Sequence, residues 1–83
     1  MHLTKDQRAV LTVLSSKRYV PLYEIMRLNQ ANYRARISEL RDKGFDIPKP
    51  AIKKNQHGNI MSTYSMSYEE RMRARKELRN GNK

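Results

Sequence analysis

Cysteine is absent from the 83-residue sequence, and histidine occurs only at His2 and His57. Without cysteine the chain has no disulfide, no thiolate zinc site and no cysteine nucleophile. Two isolated histidines are too few for a typical metal cage built from protein ligands, so we expect no metal and no cofactor.

Long apolar runs are missing as well, since the longest extends over only a few residues. A helix that crosses a bilayer needs about 20 apolar residues, and so no membrane span is expected. Polar residues at Thr4, Lys5 and Asp6 stand where a secretory signal would require an apolar segment. These absences predict a soluble intracellular protein without a membrane partner.

Motifs for catalysis are also lacking. The sequence has no glycine-rich phosphate loop and no nucleophile paired with a histidine, and Glu39 and Asp42 fall on a predicted helix beside cations rather than in a pocket. The aromatic residues, 5 Tyr and 1 Phe, mostly fit core positions. This disfavours an aromatic surface on which the bases of single-stranded nucleic acid would stack. We expect a binding protein that is not an enzyme and takes no small-molecule substrate.

Positive charge is what the sequence has in surplus. Lys and Arg number 18 against 8 Asp and Glu, which gives a net charge of +10 in one 9.9-kDa domain. Such a surplus attracts a polyanion, and nucleic acid is the commonest one inside cells.

Three helices are predicted before residue 44. The first covers residues 4–16 and begins with a capping box formed by Thr4 and Gln7. The second covers Pro21–Leu28, and after a short turn the third covers Gln30–Lys43 and ends at Gly44, a left-handed C′ residue. A short helix and a longer, more basic one joined by a turn are typical of a helix-turn-helix. The expected buried stripes are Val10, Leu11 and Leu14 in the first helix and Tyr33, Ile37 and Leu40 in the third.

The helical spacing of apolar residues ends at Gly44, and the sequence after it indicates a β-hairpin. Pro48 and Pro50 exclude a helix, and Ala51–Lys54 and Ile60–Met66 have the composition of strands around a turn-rich loop. Helices followed by a basic-tipped hairpin predict an α+β winged helix-turn-helix fold.

A last helix is expected over Tyr68–Arg79, with a capping box of Ser67 and Glu70. The chain therefore divides into a winged-helix domain over residues 1–66 and a basic C-terminal helix and tail over residues 67–83.

The run Ala35–Arg41, with Gly44 and Ile47 after it, resembles the core motif of a short helix-turn-helix domain found in many small phage and prophage proteins. The similarity covers residues 1–66 and includes Pro21–Ile25, Gln7, Arg8, Val10–Leu14 and Tyr64–Met66. The sequence departs from this pattern at Asn29, Tyr33, Pro48 and Pro50. The resemblance implies a winged-helix DNA-binding protein of phage or bacterial origin, acting in the cytoplasm or nucleoid of the bacterial host.

The third helix carries the first group of candidate DNA contacts. With its stripe turned inward, small residues lie opposite, which lets the helix enter a major groove. Near its N-terminal end, Gln30, Asn32 and Arg34 suit base edges, with Ser38 on the same face, while Arg41 and Lys43 suit phosphates. The alternative is a solvated helix face with an ordinary Glu39–Lys43 pair.

Arg36 has two interpretations that the sequence leaves open. It reaches a phosphate, or it pairs with Glu24 and orients the two helices of the helix-turn-helix.

The hairpin and the last helix carry the remaining candidates. A basic hairpin tip follows the DNA backbone or enters the minor groove, unless it is a solvated loop. The basic last helix is a solvated face, a phosphate clamp, or a dimer contact through Met72 and Leu78. The residues concerned are Lys53, Lys54, Gln56, His57 and Asn59 in the hairpin and Arg71 and Arg75 in the helix.

These observations predict a sequence-specific protein that binds double-stranded DNA, as a monomer or homodimer, and regulates transcription in a phage, prophage or bacterium. One alternative is an excisionase-like architectural DNA-binding factor. Another is an interaction module that binds a host protein.

Overall fold

The computed structural model describes residues 2–28, 32–54, 58 and 60–80, and of residues 53, 60 and 61 only the backbone. Over this part of the chain it shows an α+β domain with four helices and a three-stranded antiparallel sheet, which confirms the predicted class. None of these helices is of the length and apolar character that crossing a bilayer requires. The elements are α1 (Lys5–Leu14), β1 (Tyr19–Pro21), α2 (Leu22–Met26), α3 (Tyr33–Asp42), β2 (Ala51–Lys54), β3 (Ile60–Ser65) and α4 (Tyr68–Asn80).

The predicted capping box of α1 is confirmed. The Thr4 hydroxyl accepts from the Gln7 N–H at 3.2 Å, and the Gln7 side chain accepts from the Thr4 N–H at 3.0 Å. The helix ends at Leu14 rather than Ser16, because the Ser16 hydroxyl donates to the Val13 carbonyl at 2.7 Å and favours a turn. The predicted stripe of Val10, Leu11 and Leu14 is buried.

Helix α2 is shorter than the predicted Pro21–Leu28. Pro21 has extended dihedrals and ends β1, where it lies opposite Thr63 of β3, so it precedes the helix instead of starting it. At the other end the Leu28 N–H donates to Ile25, three residues back, in a turn.

Helix α3 ends as the sequence predicts. Gly44 has a φ of +101°, its N–H donates to the Arg41 carbonyl at 3.0 Å, and the Phe45 N–H donates to the Leu40 carbonyl at 3.2 Å. These two bonds form a Schellman motif, with Leu40 and Phe45 both buried in the core. The predicted start at Gln30 lies outside the described residues, and the described helix begins at Tyr33.

The predicted hairpin forms with Ala51 opposite Thr63 and Lys54 opposite Ile60. Strand β3 is central in the order β1-β3-β2, because the extended stretch at Tyr19 pairs with Ser65. The residue before Pro21 predicts this stretch as extended but not as a third strand.

Helix α4 belongs to the same core as the rest of the domain. It packs against α1, and Ala74 is 0% exposed. The Ser67 hydroxyl accepts from the Glu70 N–H at 3.2 Å, as expected for half of the capping box. The Glu70 carboxylate instead accepts from the Asp46 N–H at 2.9 Å and from Arg73 at 2.8 Å. The boundary at residue 66 therefore divides the chain into segments that share one core.

Candidate nucleic-acid interface

The outward face of α3 is formed by short side chains. Ile37 and Leu40 are 2% and 0% exposed and point into the core. At about 100° per residue, Ala35, Ser38 and Asp42 lie on the opposite side of the helix, and of these Ser38 and Asp42 are exposed. Short side chains allow close approach of this face to another surface, such as the floor of a DNA major groove.

Two of the predicted base-reading residues are exposed at the N-terminal end of α3. Asn32 precedes the helix, and its side chain makes no capping hydrogen bond. Arg34 donates from Nε to the Tyr33 hydroxyl at 3.4 Å, and this hydrogen bond raises the pKa of the Arg34 guanidinium. The third, Gln30, lies outside the described residues. Asn32 and Arg34 are thus both placed where a ligand can reach them.

A cationic groove runs between α3 and the sheet. Its volume is about 280 Å³, and among the residues that line it are Arg34, Arg41 and Lys49 together with Ser62 and Tyr64. The described lining contains no carboxylate. Burial raises the pKa of Tyr64, so its phenol stays protonated and able to donate a hydrogen bond. The groove brings α3, strand β3 and the segment that leads into β2 into one surface.

Lys49 was not among the predicted contacts. It lies between Pro48 and Pro50, and the two rings restrict the backbone on either side of it. A lysine held between two prolines at the entry to a hairpin is a signal that could have identified it.

Arg41 and Lys43, predicted as phosphate contacts, both bind backbone carbonyls of the protein. Arg41 donates from Nε to the Ile47 carbonyl at 2.8 Å and so holds the chain that leads into β2. Lys43 donates to the His2 carbonyl at 2.7 Å, on the side of α3 that faces the N-terminal segment. Arg41 remains exposed and lines the cationic groove, whereas Lys43 does not line it.

The hypothesis of an Arg36–Glu24 bridge is wrong. Arg36 lies 3.0 Å from Glu39 and 3.8 Å from Asp6, and Glu24 lies 2.7 Å from Lys17. The reason is that Arg36 projects from the flank of α3 that packs on α1, while the short α2 holds Glu24 beside the loop that enters β1. Arg36 orients α3 on α1 rather than on α2.

The alternative Glu39–Lys43 pair is also replaced by other contacts. Besides Arg36, the Glu39 carboxylate accepts from Gln7 at 2.8 Å, across the α1–α3 contact. Gln7 is buried, so this bond satisfies a polar group that would otherwise be costly to bury. The polar network belongs to the packing of α1 on α3.

Most of the predicted hairpin tip falls outside the part of the chain that the structure describes. Lys54 is exposed at the end of β2, opposite Ile60. Gln56, His57 and Asn59 lie outside the described residues, as does the side chain of Lys53. A role for the tip in binding DNA therefore stays a prediction.

The predicted contacts of α4 lie against the protein itself. Arg75 donates to the carbonyls of Ser15 and Ser16 at 3.1 and 3.2 Å and so caps the C-terminal end of α1. Arg71 is half-buried, and its guanidinium carbon lies 5.8 Å from the centre of the Tyr68 ring. The basic run is thus more than a solvated face.

The comparisons with known proteins leave the function to be argued from this geometry. No protein-family model matches the sequence, and no match is found among curated proteins or solved structures.

Proposed function

We propose that this protein binds double-stranded DNA as a winged helix-turn-helix domain. In this proposal the outward face of α3 enters the major groove, and the β2–β3 hairpin lies along the DNA backbone. The order of α2, α3 and the hairpin supports it, as does the sheet that holds the hairpin beside α3. The similarity of Ala35–Arg41 to small phage and prophage domains is consistent with it.

The observation that carries the proposal is the cationic groove beside the short side chains of α3. Arg34, Arg41 and Lys49 line this groove without a carboxylate among its described lining residues. Glu24 and Glu39 are paired with cations elsewhere. A surface of one charge sign next to a helix that can be approached closely suits a polyanionic duplex.

Asp42 lies on the outward face but far from the proposed base contacts. It follows Arg34 by eight residues, which is about 12 Å along the helix axis. The Asp42 carboxylate is therefore expected to lie away from the bases, which the N-terminal end of α3 reads. Arg34 suits guanine and Asn32 suits adenine, with Lys49 and Lys54 at phosphates.

The biological role that fits this mode is a transcriptional regulator of a phage, prophage or bacterium, acting in the cytoplasm or nucleoid. An excisionase-like architectural factor uses the same kind of surface. Footprints separate the two, because a regulator covers promoter DNA and an architectural factor covers clustered repeats beside an attachment site.

Selection of bound sites from a random duplex library tests the proposal. The selected duplex is then titrated at several salt concentrations by fluorescence anisotropy. With six to eight phosphate contacts, the slope of log affinity against log salt should be roughly −5 to −7. A flat salt response, or no binding at low salt, contradicts DNA binding and favours the protein-interaction module.

A further inference from the structure

A second groove lies between α1 and α4. Its volume is about 840 Å³, and it shares no described lining residue with the cationic groove beside α3. Met72 and Leu78 supply apolar surface in its lining. Cationic side chains also line it, namely Arg8 from α1 and Arg75, Lys76 and Arg79 from α4.

The carboxylates of α4 lie on one side of the helix. At about 100° per residue, the half of the helix that includes Met72 and Leu78 carries only cations among its charged residues, and the other half carries the carboxylates together with Arg73, which lies 2.8 Å from Glu70. Glu70 confirms this orientation, since it binds the Asp46 N–H beyond the end of α3. The cations on the Met72 side are Arg71, Arg75, Lys76 and Arg79, and the carboxylates on the other side are Glu69, Glu70 and Glu77.

The groove is preorganised by the contacts that hold α4 on α1. Arg75 donates to two carbonyls at the end of α1, and Arg8 donates to the Leu78 carbonyl at 2.7 Å. A guanidinium has five N–H donors, so the two bonds that Arg75 makes leave donors for a further acceptor. Arg8 and Arg75 are therefore held in place before any ligand arrives, which lowers the entropic cost of binding to them.

We infer that this groove binds an acidic amphipathic helix of a partner protein. An apolar strip with cations on its rim complements a helix that has apolar residues at spacings of three and four and carboxylates beside them. Duplex DNA would satisfy the cations but leave Met72 and Leu78 without an apolar partner. A second copy of this chain, with its net charge of +10, would bring cations against cations. The inference does not depend on DNA binding.

A displayed peptide library provides the test. The peptides span about four helical turns, with apolar residues fixed at spacings of three and four and all other positions randomised. They are selected on the full chain and counter-selected on a Lys76→Glu/Arg79→Glu double variant. We expect the selected peptides to be rich in Asp and Glu and to bind the double variant at least about tenfold more weakly than the wild type.

A matched control changes two lysines outside this groove. The Lys49→Glu/Lys54→Glu double variant undergoes the same change in charge at exposed positions and should bind the selected peptides as the wild type does. Thermal melts verify that both double variants fold. A scrambled peptide of the same composition should bind at least about tenfold more weakly than the selected one, since it lacks the apolar spacing.

Several results would overturn the inference. They are selected peptides that are neutral or basic, a failure to enrich any peptide, equal binding of the scrambled peptide, and equal binding by the Lys76→Glu/Arg79→Glu variant. A loss of DNA affinity in this variant as large as that in Lys49→Glu/Lys54→Glu would assign the groove to DNA. If sedimentation shows that the wild type is a dimer and the same variant a monomer, the groove would be assigned to a second copy of the chain.

Discussion

The two grooves of this domain differ in the residues that lie beside their cations. Beside α3, arginine and lysine line a groove with Ser62 and Tyr64, where polar and apolar surface are about equal. Between α1 and α4, they line a larger groove with Met72 and Leu78, where most of the surface is apolar. A net charge of +10 therefore does not specify a single partner. The share of apolar surface beside the cations distinguishes a groove suited to phosphates from one suited to an amphipathic helix.

The arginines also differ in how they are held. Arg75 and Arg8 bind main-chain carbonyls across the α1–α4 contact, so each connects two elements. Arg34 is exposed, and its guanidinium carbon lies 5.9 Å from the centre of the Tyr33 ring. An arginine count alone thus overstates the charge available to a ligand, because part of it stabilises the small fold.

The largest expected effect is on DNA affinity. Lys49→Glu/Lys54→Glu should weaken binding of the selected duplex roughly 100-fold at low salt, because two attractive contacts become repulsive. Lys76→Glu/Arg79→Glu, with the same change in net charge, should weaken it by less than about threefold. Fluorescence anisotropy measures both. Equal losses would assign the groove between α1 and α4 to DNA as well.

Base preference should change next most strongly. Arg34→Ala or Asn32→Ala should each cost about 1–3 kcal/mol at the preferred site and relax the preference at one or two positions. Lys53→Ala or Lys54→Ala should weaken all duplexes about equally, since phosphates carry no sequence information. Repeating the site selection with each variant provides the measurement. A uniform loss from Arg34→Ala and Asn32→Ala would mean that α3 does not read the bases.

Two arginines of α4 are expected to differ in how much they contribute to the free energy of unfolding. Arg75→Ala should lower the free energy of unfolding by about 1–2 kcal/mol, because it removes hydrogen bonds to two carbonyls at the end of α1. Arg79→Ala, at an exposed position in the last turn of α4, should change it by less than about 0.5 kcal/mol. Urea unfolding followed by circular dichroism compares them. Similar values for the two variants would show that the cap contributes nothing measurable.

The smallest effect concerns Glu24. Its side chain is 24% exposed and that of Lys17 is 52% exposed, so Glu24→Gln should cost about 0.5 kcal/mol or less. A double-mutant cycle of Glu24 with Arg36 should give a coupling energy near zero, whereas a cycle of Glu24 with Lys17 should give a small favourable one. Coupling to Arg36 as strong as that to Lys17 would restore the bridge between the two helices of the helix-turn-helix.

Part of the candidate site could be predicted from the sequence because it depends on one helix. The period of α3 turns Ile37 and Leu40 inward, and this leaves Ser38 exposed on the other side. Lys49 was missed because its place in the groove depends on how the chain passes α3, and Arg41 holds that chain through the Ile47 carbonyl. The partners of long side chains could not be predicted, since Arg36 lies 3.0 Å from Glu39 of its own helix and 3.8 Å from Asp6 of α1.

The sequence by itself determined the features that neighbouring residues create. Thr4 and Gln7 cap α1 within four residues, and Gly44 ends α3 because a left-handed residue there satisfies the last carbonyls. Only the tertiary structure decided which distant elements meet. Pairing of β1 with β3 and burial of Ala74 under α1 depend on the closure of long loops, whose outcome is set by total burial rather than by local preference. The separation of the positive charge into two different grooves follows from that packing.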